Sequence, residues 1–233
     1  MQINPKYINN NLLEFREIFG MALLQKPNKI LTNSDMFTNI PTENKNLPED
    51  MILNLIIANT SLKYTPSNSV AYSVDGQIIG IGAGQQNRID CVKLAGDKSK
   101  KWILRQHPKV LNLLKNFKKG TKRQAKINCI IQYINNTFTD IEYNLWKSNF
   151  RDEYIFKPLS NEDKKSFLQD NLHNVCLSSD GFFPFRDNID EAYKNGVQYI
   201  IQPGGSILDK NIISACNDYN ITMVLSGKRL FYH

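Results

Sequence analysis

Five short segments concentrate residues able to do chemistry. In Lys63-Tyr64-Thr65-Pro66-Ser67-Asn68-Ser69-Val70, an Asn sits between two Ser in a loop that enters a strand. Donors and acceptors side by side suit an amide-bearing ligand, and the same residue types also make Asx-type turns that only start a strand. Gly80-Ile81-Gly82-Ala83-Gly84-Gln85-Gln86-Asn87-Arg88 follows as a Gly-rich strand-to-helix turn. Such a turn lets backbone approach an anion at a helix N-terminus, and Arg88 adds a guanidinium fork for a phosphate or carboxylate. No Gly-Lys-Ser/Thr follows, so it is not a P-loop, and the third Gly of the dinucleotide fingerprint is missing. Leu177 to Asn188 brings Phe182, Phe183 and Phe185 around Pro184. These rings close a core or wall a flat-ring pocket. Asp187 and Asn188 either cap the following helix or, in the case of Asp187, hydrogen-bond a heteroaromatic ring. Gln202 to Ser206 is a further strand-to-helix loop, and the tail Lys228-Arg229-Leu230-Phe231-Tyr232-His233 is aromatic enough to be docked rather than frayed.

The elements that must hold these segments are legible in outline. A helix through Leu12, Phe15 and Ile18 is expected to end at Gly20, followed by a strand over Met21 to Leu24. Residues 26–47 read as loop. Pro48-Glu49-Asp50 opens a helix that reaches about Lys63, with its acids near the positive end of the helix dipole. Val70–Val74 and Gln77–Ile81 flank Asp75-Gly76, a two-residue turn that needs positive φ, and predict a hairpin. Helices are expected at 87–105, 108–117, 121–136, 161–171, 188–195 and 207–219, and strands at Val175–Leu177, Gln198–Ile201 and Thr222–Leu225. Strands alternating with helices argue an α/β layered fold with a central, largely parallel sheet flanked by helices. Ligands bind such a sheet at the carboxyl ends of its strands, where four of the five segments fall. The residues therefore predict one polar, cationic, Phe-lined cleft for a flat anionic ligand.

Composition narrows the classes. The chain has 233 residues, 41% of them hydrophobic, enough for a real core. No apolar run reaches the ~18 residues that span a bilayer, and the N-terminal residues lack a signal-peptide pattern, so no membrane anchor is expected. Cys91, Cys129, Cys176 and Cys216 are unevenly spaced without a CxxC, which favours buried free thiols over a metal site or disulfide framework. From Lys93 to Lys126 there are twelve Lys or Arg against one acid, Asp97. That run is either a solvated face or an anion-binding surface, and with only Trp102 and Phe117 inside it, nucleic acid is a remote third choice.

The run KYTPSNSVAYSVDGQIIGIGAGQQNRIDCVKLAGDK resembles the core motif of AICAR transformylase, the formyl-transfer domain of the bifunctional purine enzyme that also carries IMP cyclohydrolase. SSDGFFPFRDNID and KRLFYH resemble its other signatures in the same order, and the likeness covers roughly residues 15 to 233. The GAGQQ form and the LF-x-H ending are closer to the eukaryotic-type branch. The resemblance implies a cytosolic enzyme that transfers a formyl group from 10-formyltetrahydrofolate, its co-substrate, to AICAR, without a metal and acting as a homodimer or with a partner chain. It implies cytidine-deaminase-like subdomains, residues 1–47 being the remnant of one and 48–233 the other, without the zinc signature of the deaminases. It assigns Asn68 to the AICAR carboxamide and to catalysis, and Arg88, Phe182 and Arg229 to the nucleotide. Phe185 and Asp187 go to the folate, with Ser206 and His233 as further candidates. The family also uses an adjacent Lys-His pair for proton transfer. The histidines here are His107, His173 and His233, and none follows a Lys. The resemblance thus implies that activity needs a segment bearing that pair. A chain that only binds AICAR or folate is the alternative.

Overall fold

The structure, a computed structural model, describes residues 13–25 and 28–231 and falls into two units, Met1–Leu31 and Thr32–His233. In the first unit, β1 (Glu14–Ile18) pairs antiparallel with β2 (Met21–Gln25), from Glu14↔Gln25 to Ile18↔Met21. The strand expected at Met21 is present, but the helix expected before it is not. Gly20, read as a helix stop, is half of a two-residue turn with Phe19, at φ 76° and 51°. Positive φ at both positions gives the turn the twist of paired strands, so the local geometry selects a hairpin. The part of the expected helix before residue 13 lies outside the described residues.

The second unit carries a five-stranded sheet ordered β4-β3-β5-β6-β7. The strands are β3 (Ser69–Val74), β4 (Gln77–Ala83), β5 (Val175–Ser179), β6 (Val197–Gln202) and β7 (Thr222–Leu225). The sheet is mixed rather than largely parallel. The β5–β6 and β6–β7 pairs are parallel, whereas β3 runs antiparallel to both β4 and β5. The tight Asp75-Gly76 turn, at φ 48° and 73°, sends β4 back along β3, and β3 also runs against β5, a contact far away in the chain.

Alternation along the strands sorts side chains onto two faces. Ser73, Cys176 and Ser178 meet helix α1 (Glu49–Lys63): Ser73 donates to the Asn54 carbonyl at 2.8 Å and Ser178 to Asn59 Oδ1 at 3.0 Å. Met51, Asn54, Leu55, Ala58, Asn59 and Leu62 form the buried face of that helix at the i, i+3, i+4 spacing. Val70, Tyr72, Val175, Leu177, Ile200 and Met223 face the larger core. It is roofed by α2 (Arg88–Leu104), α7 (Asp187–Lys194) and α8 (Asp209–Asp218). The free edge of β7 is covered by residues 39–46, where Asn39 accepts from Leu225 N at 2.9 Å and Thr42 from Met223 N at 3.1 Å.

Between α2 and α6 (Asn161–Asn171) the chain builds a second core from α3 (Pro108–Lys115), α4 (Arg123–Asn135) and α5 (Asp140–Lys147). Trp146 is its centre, with Nε1 donating to the Cys129 carbonyl at 2.9 Å and Phe150 and Phe156 packed on its rings. Much of the basic run lies here and is partly committed to structure. Lys109 pairs with Asp163, Lys118 with Asp152, and Lys126 lies over the Phe117 ring.

His107 caps α3, its Nδ1 accepting from Lys109 N at 3.1 Å while its ring meets Phe167 edge-on. Burial holds its pKa below the usual value and Lys109 pushes the same way, with Asp163 opposing. The unfolded chain therefore takes up the proton first, so stability is fullest above the ordinary His pKa of about 6.5 and declines as pH falls below it. Protonation also removes the cap acceptor. Asp163, held at about 2 chiefly by Lys109, titrates well below that window. The wild-type melting temperature is expected to fall from pH 7 to pH 5 more than that of His107→Asn, which keeps an acceptor that does not titrate. Equal slopes would contradict this.

Candidate functional site

The carboxyl ends of β5, β6 and β7 and the loop entering β3 meet at one edge of the sheet, and Asp180 lies at their centre. It follows the last residue of β5 and is fully buried. Its Oδ2 accepts from Ser67 Oγ at 2.5 Å, Ser69 Oγ at 2.9 Å and Ser69 N at 3.1 Å. Its Oδ1 pairs with Arg88 Nη1, and both partners are nearly inaccessible to solvent. A buried carboxylate is tolerable only when its lone pairs are filled this completely.

Arg88, the first residue of α2, spreads its fork across the site. Nη1 also donates to the Ser69 carbonyl at 2.8 Å, and Nη2 donates to Asn68 Oδ1 at 3.1 Å. Asn68 is held from its other end, with Nδ2 donating to the Gln85 carbonyl at 3.1 Å. The amide is thereby fixed in one orientation and keeps one N–H and one lone pair for a further partner. Beneath it Cys91 donates Sγ–H to the Asn68 carbonyl at 3.2 Å. Burial pushes that thiol up, against the opposing pull of Arg88, so it serves as a protonated donor and not as a nucleophile.

The tail closes this edge. Leu230 N donates to the Asp180 carbonyl at 2.9 Å, and Arg229 lies over the rings of Phe182 and Phe231, at 5.2 and 5.9 Å. Gly181 leaves room for both sides: a Cβ there would come within 2.7 Å of Arg88 Nη2 and of Phe231. The structure thus joins Asn68 to Arg88 directly, and Phe182 and Arg229 to them through Asp180 and Gly181.

The remaining candidates stand apart from that network. Phe185 is 61% exposed. Asp187 occupies the first turn of α7, exposed, with Oδ1 accepting from Asn188 Nδ2 at 2.8 Å. The N-cap of α7 is Arg186, not Asp187 or Asn188. Ser206 starts the turn into α8, accepting from Leu208 N at 3.2 Å. None of the three bonds to Arg88 or Asn68. Of the three clustered phenylalanines, Phe183 belongs to the core, its N–H donating to Gln202 Oε1 at 2.8 Å. His233 lies outside the described residues.

The glycines act differently from a phosphate cradle. Gly80 and Gly82 sit within β4, and a Cβ on either would meet the carbonyl oxygen of Ala95 or Cys91 at 2.2 or 2.1 Å. Their bareness lets α2 lie directly on the strand, which brings Arg88 down to Asp180. Among the described residues no group of three or more His, Cys, Asp or Glu could hold a metal ion, and no helix is long and apolar enough to cross a membrane.

Comparison with known proteins shows what this chain is similar to. The family model described as AICARFT/IMPCHase bienzyme matches residues 1–98, which include Asn68, Gly82 and Arg88. The bifunctional purine biosynthesis protein PurH of Buchnera aphidicola subsp. Schizaphis graminum (strain Sg) is 33% identical over 229 residues, 97% of this chain and 30% of that protein. The PurH protein of Lactococcus lactis subsp. cremoris (strain MG1363) is 28% identical over 217 residues, 93% of this chain and 29% of that protein. That of Dictyostelium discoideum is 30% identical over 228 residues, 94% of this chain and 28% of that protein. Over most of its length the chain is thus similar to PurH proteins, and over residues 1–98 to the AICARFT/IMPCHase bienzyme family. It spans about 30% of the length of the curated relatives it matches. At this edge of the sheet, the residue that sequence reasoning missed is Asp180. Its signal was an acid directly after a short apolar strand, in the same molecule as a lone Arg opening a helix.

Proposed function

We propose that this chain is the C-terminal part of an AICAR formyltransferase, acting in purine biosynthesis by moving a formyl group from 10-formyltetrahydrofolate to AICAR. The observation that carries the reading is the fixed amide of Asn68, clamped between Arg88 and Gln85 with one donor and one acceptor left over. That pair of groups complements a carboxamide, which itself offers a donor and an acceptor. Asn68 would hold the carboxamide of AICAR and so orient the neighbouring amine for attack on the formyl carbon. Arg229, exposed and backed by Phe182 and Phe231, would meet the ribonucleotide phosphate. Phe182 would contact the base. Phe185, and Asp187 at the start of α7, would take the folate ring, with Ser206 and His233 as further candidates. Arg88 acts mainly through others, positioning Asn68 and compensating Asp180. The same reading takes the fold to be cytidine-deaminase-like, the site to be completed by a second copy or a partner chain, and a Lys-His pair to come from that further segment as the proton acceptor.

A calorimetric titration tests the binding half. AICAR is expected to bind the chain, and Asn68→Ala is expected to weaken it by about tenfold, the effect of losing one or two hydrogen bonds to a half-buried amide. Binding of neither AICAR nor a reduced folate to folded protein would overturn the reading. Affinity unchanged in Asn68→Ala would remove Asn68 from it.

A further inference from the structure

We propose a second anion site, for a nucleoside polyphosphate, in a groove at the opposite edge of the sheet. The groove measures 600 Å³ and runs between α6, α2 and the end of α7. Its walls include Asn161, Lys164, Lys165, Leu168, Gln169 and Leu172, spaced to lie along one face of α6. Leu172 precedes β5 and Gly196 precedes β6, so the groove opens at the amino ends of these strands. The Asn68–Arg88–Asp180 cluster lies at their carboxyl ends.

Four lysines line it: Lys100 from α2, Lys164 and Lys165 from α6, and Lys194 from the last turn of α7. Lys194 has a loose partner in Glu191 at 3.6 Å, but Lys100, Lys164 and Lys165 have no carboxylate within 4.0 Å among the described residues. Lysines on a solvated face ordinarily point apart or alternate with acids, whereas these surround a concavity with an apolar floor. Partial burial already lowers the pKa of Lys164, as happens to a cation that has lost water without gaining a counter-charge. A ligand bearing several negative charges would supply the missing compensation.

The floor argues for a ring on that ligand. Tyr193 lines the groove and is 49% exposed. Its other face is stacked on Tyr219 at 4.2 Å and 14°, so the ring is held as a platform. With Leu168 and Leu172 beside it, this surface suits a flat heterocycle, and the volume falls within the range of small-molecule sites. A polyphosphate tail would meet the lysines as point charges.

The test is titration of ATP and, separately, of pyrophosphate into the full chain at low salt. Saturable binding of ATP is expected, weakened about tenfold or more in Lys164→Gln/Lys165→Gln, as the loss of two charge-assisted contacts requires. Because α6 has no fully buried residue, that variant should keep its melting temperature. Tyr193→Ala should weaken ATP but leave pyrophosphate unchanged. Failure of millimolar ATP to bind overturns the proposal, as does affinity indifferent to the lysine pair. Loss of ATP binding in Asn68→Ala or Arg229→Ala in place of the lysine variant would also overturn it, because the nucleotide would then occupy the carboxyl-edge cleft. Equal loss of ATP and pyrophosphate in Tyr193→Ala would overturn the assignment of a ring to the ligand.

Discussion

Asp180→Asn is expected to destabilise the protein by about 3–5 kcal/mol and to abolish AICAR binding, because it leaves the Arg88 guanidinium buried without its counter-charge. Arg88 has few alternatives, since its remaining contacts are the Ser69 carbonyl and the Asn68 amide oxygen, both neutral. The loss would spread through two loops. Asp180 Oδ2 gathers Ser67 and Ser69 from the loop before β3, while its carbonyl takes Leu230 from the tail. A double-mutant cycle separates the charge from the shape. If compensation is the issue, Arg88→Met/Asp180→Leu should recover much of the lost stability, since an apolar pair of similar volume can replace a buried ion pair. It should not recover AICAR binding, because the Asn68 amide would have lost its clamp. Chemical denaturation of the two single variants and the pair provides the check. Additive losses would mean that the pair is not coupled.

Gly82→Ala is expected to cost about 3 kcal/mol or more, at the upper end of what overpacking does, because the added methyl would overlap main-chain atoms. Its Cβ would sit 2.1 Å from the Cys91 carbonyl oxygen and 2.9 Å from Cys91 Cα, neither of which a rotamer change can move. Relief requires α2 to lift off β4. Arg88 opens that helix, so the same shift would pull its fork from Asp180 and Asn68. The variant should therefore lose AICAR affinity along with stability. Gly84→Ala makes a useful contrast, since no atom lies within 4 Å of the site of its Cβ and only its φ of 65° opposes the change. That substitution should cost about 1 kcal/mol, the usual penalty for a non-glycine residue in the left-handed region. A thermal shift no greater for Gly82→Ala than for Gly84→Ala would show that helix–strand contact does not set the position of α2.

Most of the layered architecture was written in local signals. Asp75-Gly76 announced the β3–β4 hairpin, Pro48-Glu49-Asp50 the start of α1, and apolar periodicity the helices that follow β4. What the sequence hid was largely a matter of pairing. Direction is not encoded in the residues of a strand, so the antiparallel β3–β5 contact, which makes the sheet mixed, could not be read from either segment. Phe19-Gly20 passed for a helix stop because Gly serves both as a helix terminator and in a two-residue turn. Helix α5 did leave a mark: Thr139 and Glu142 form a capping box before Trp146, but eight residues are too few for periodicity to stand out. Asn68 and Arg88 drew notice as polar residues at a strand entry and a helix start, and the structure joins them by a hydrogen bond. Their interdependence was not legible, since it runs through Asp180, ninety-two residues after Arg88 in the chain. In the Gly-rich run, the two strand glycines let α2 pack against β4, a close contact that the sequence pattern alone does not distinguish from an anion-binding turn.

The central claim is tested most directly by complementation. The chain is mixed with a polypeptide that carries the Lys-His segment of a relative, and formyl transfer from 10-formyltetrahydrofolate to AICAR is followed by release of tetrahydrofolate. Turnover is predicted in the mixture, well above that of either component, and it should be lost when this chain carries Asn68→Ala. Absence of turnover with both components folded and associated, or turnover indifferent to Asn68, would contradict the assignment.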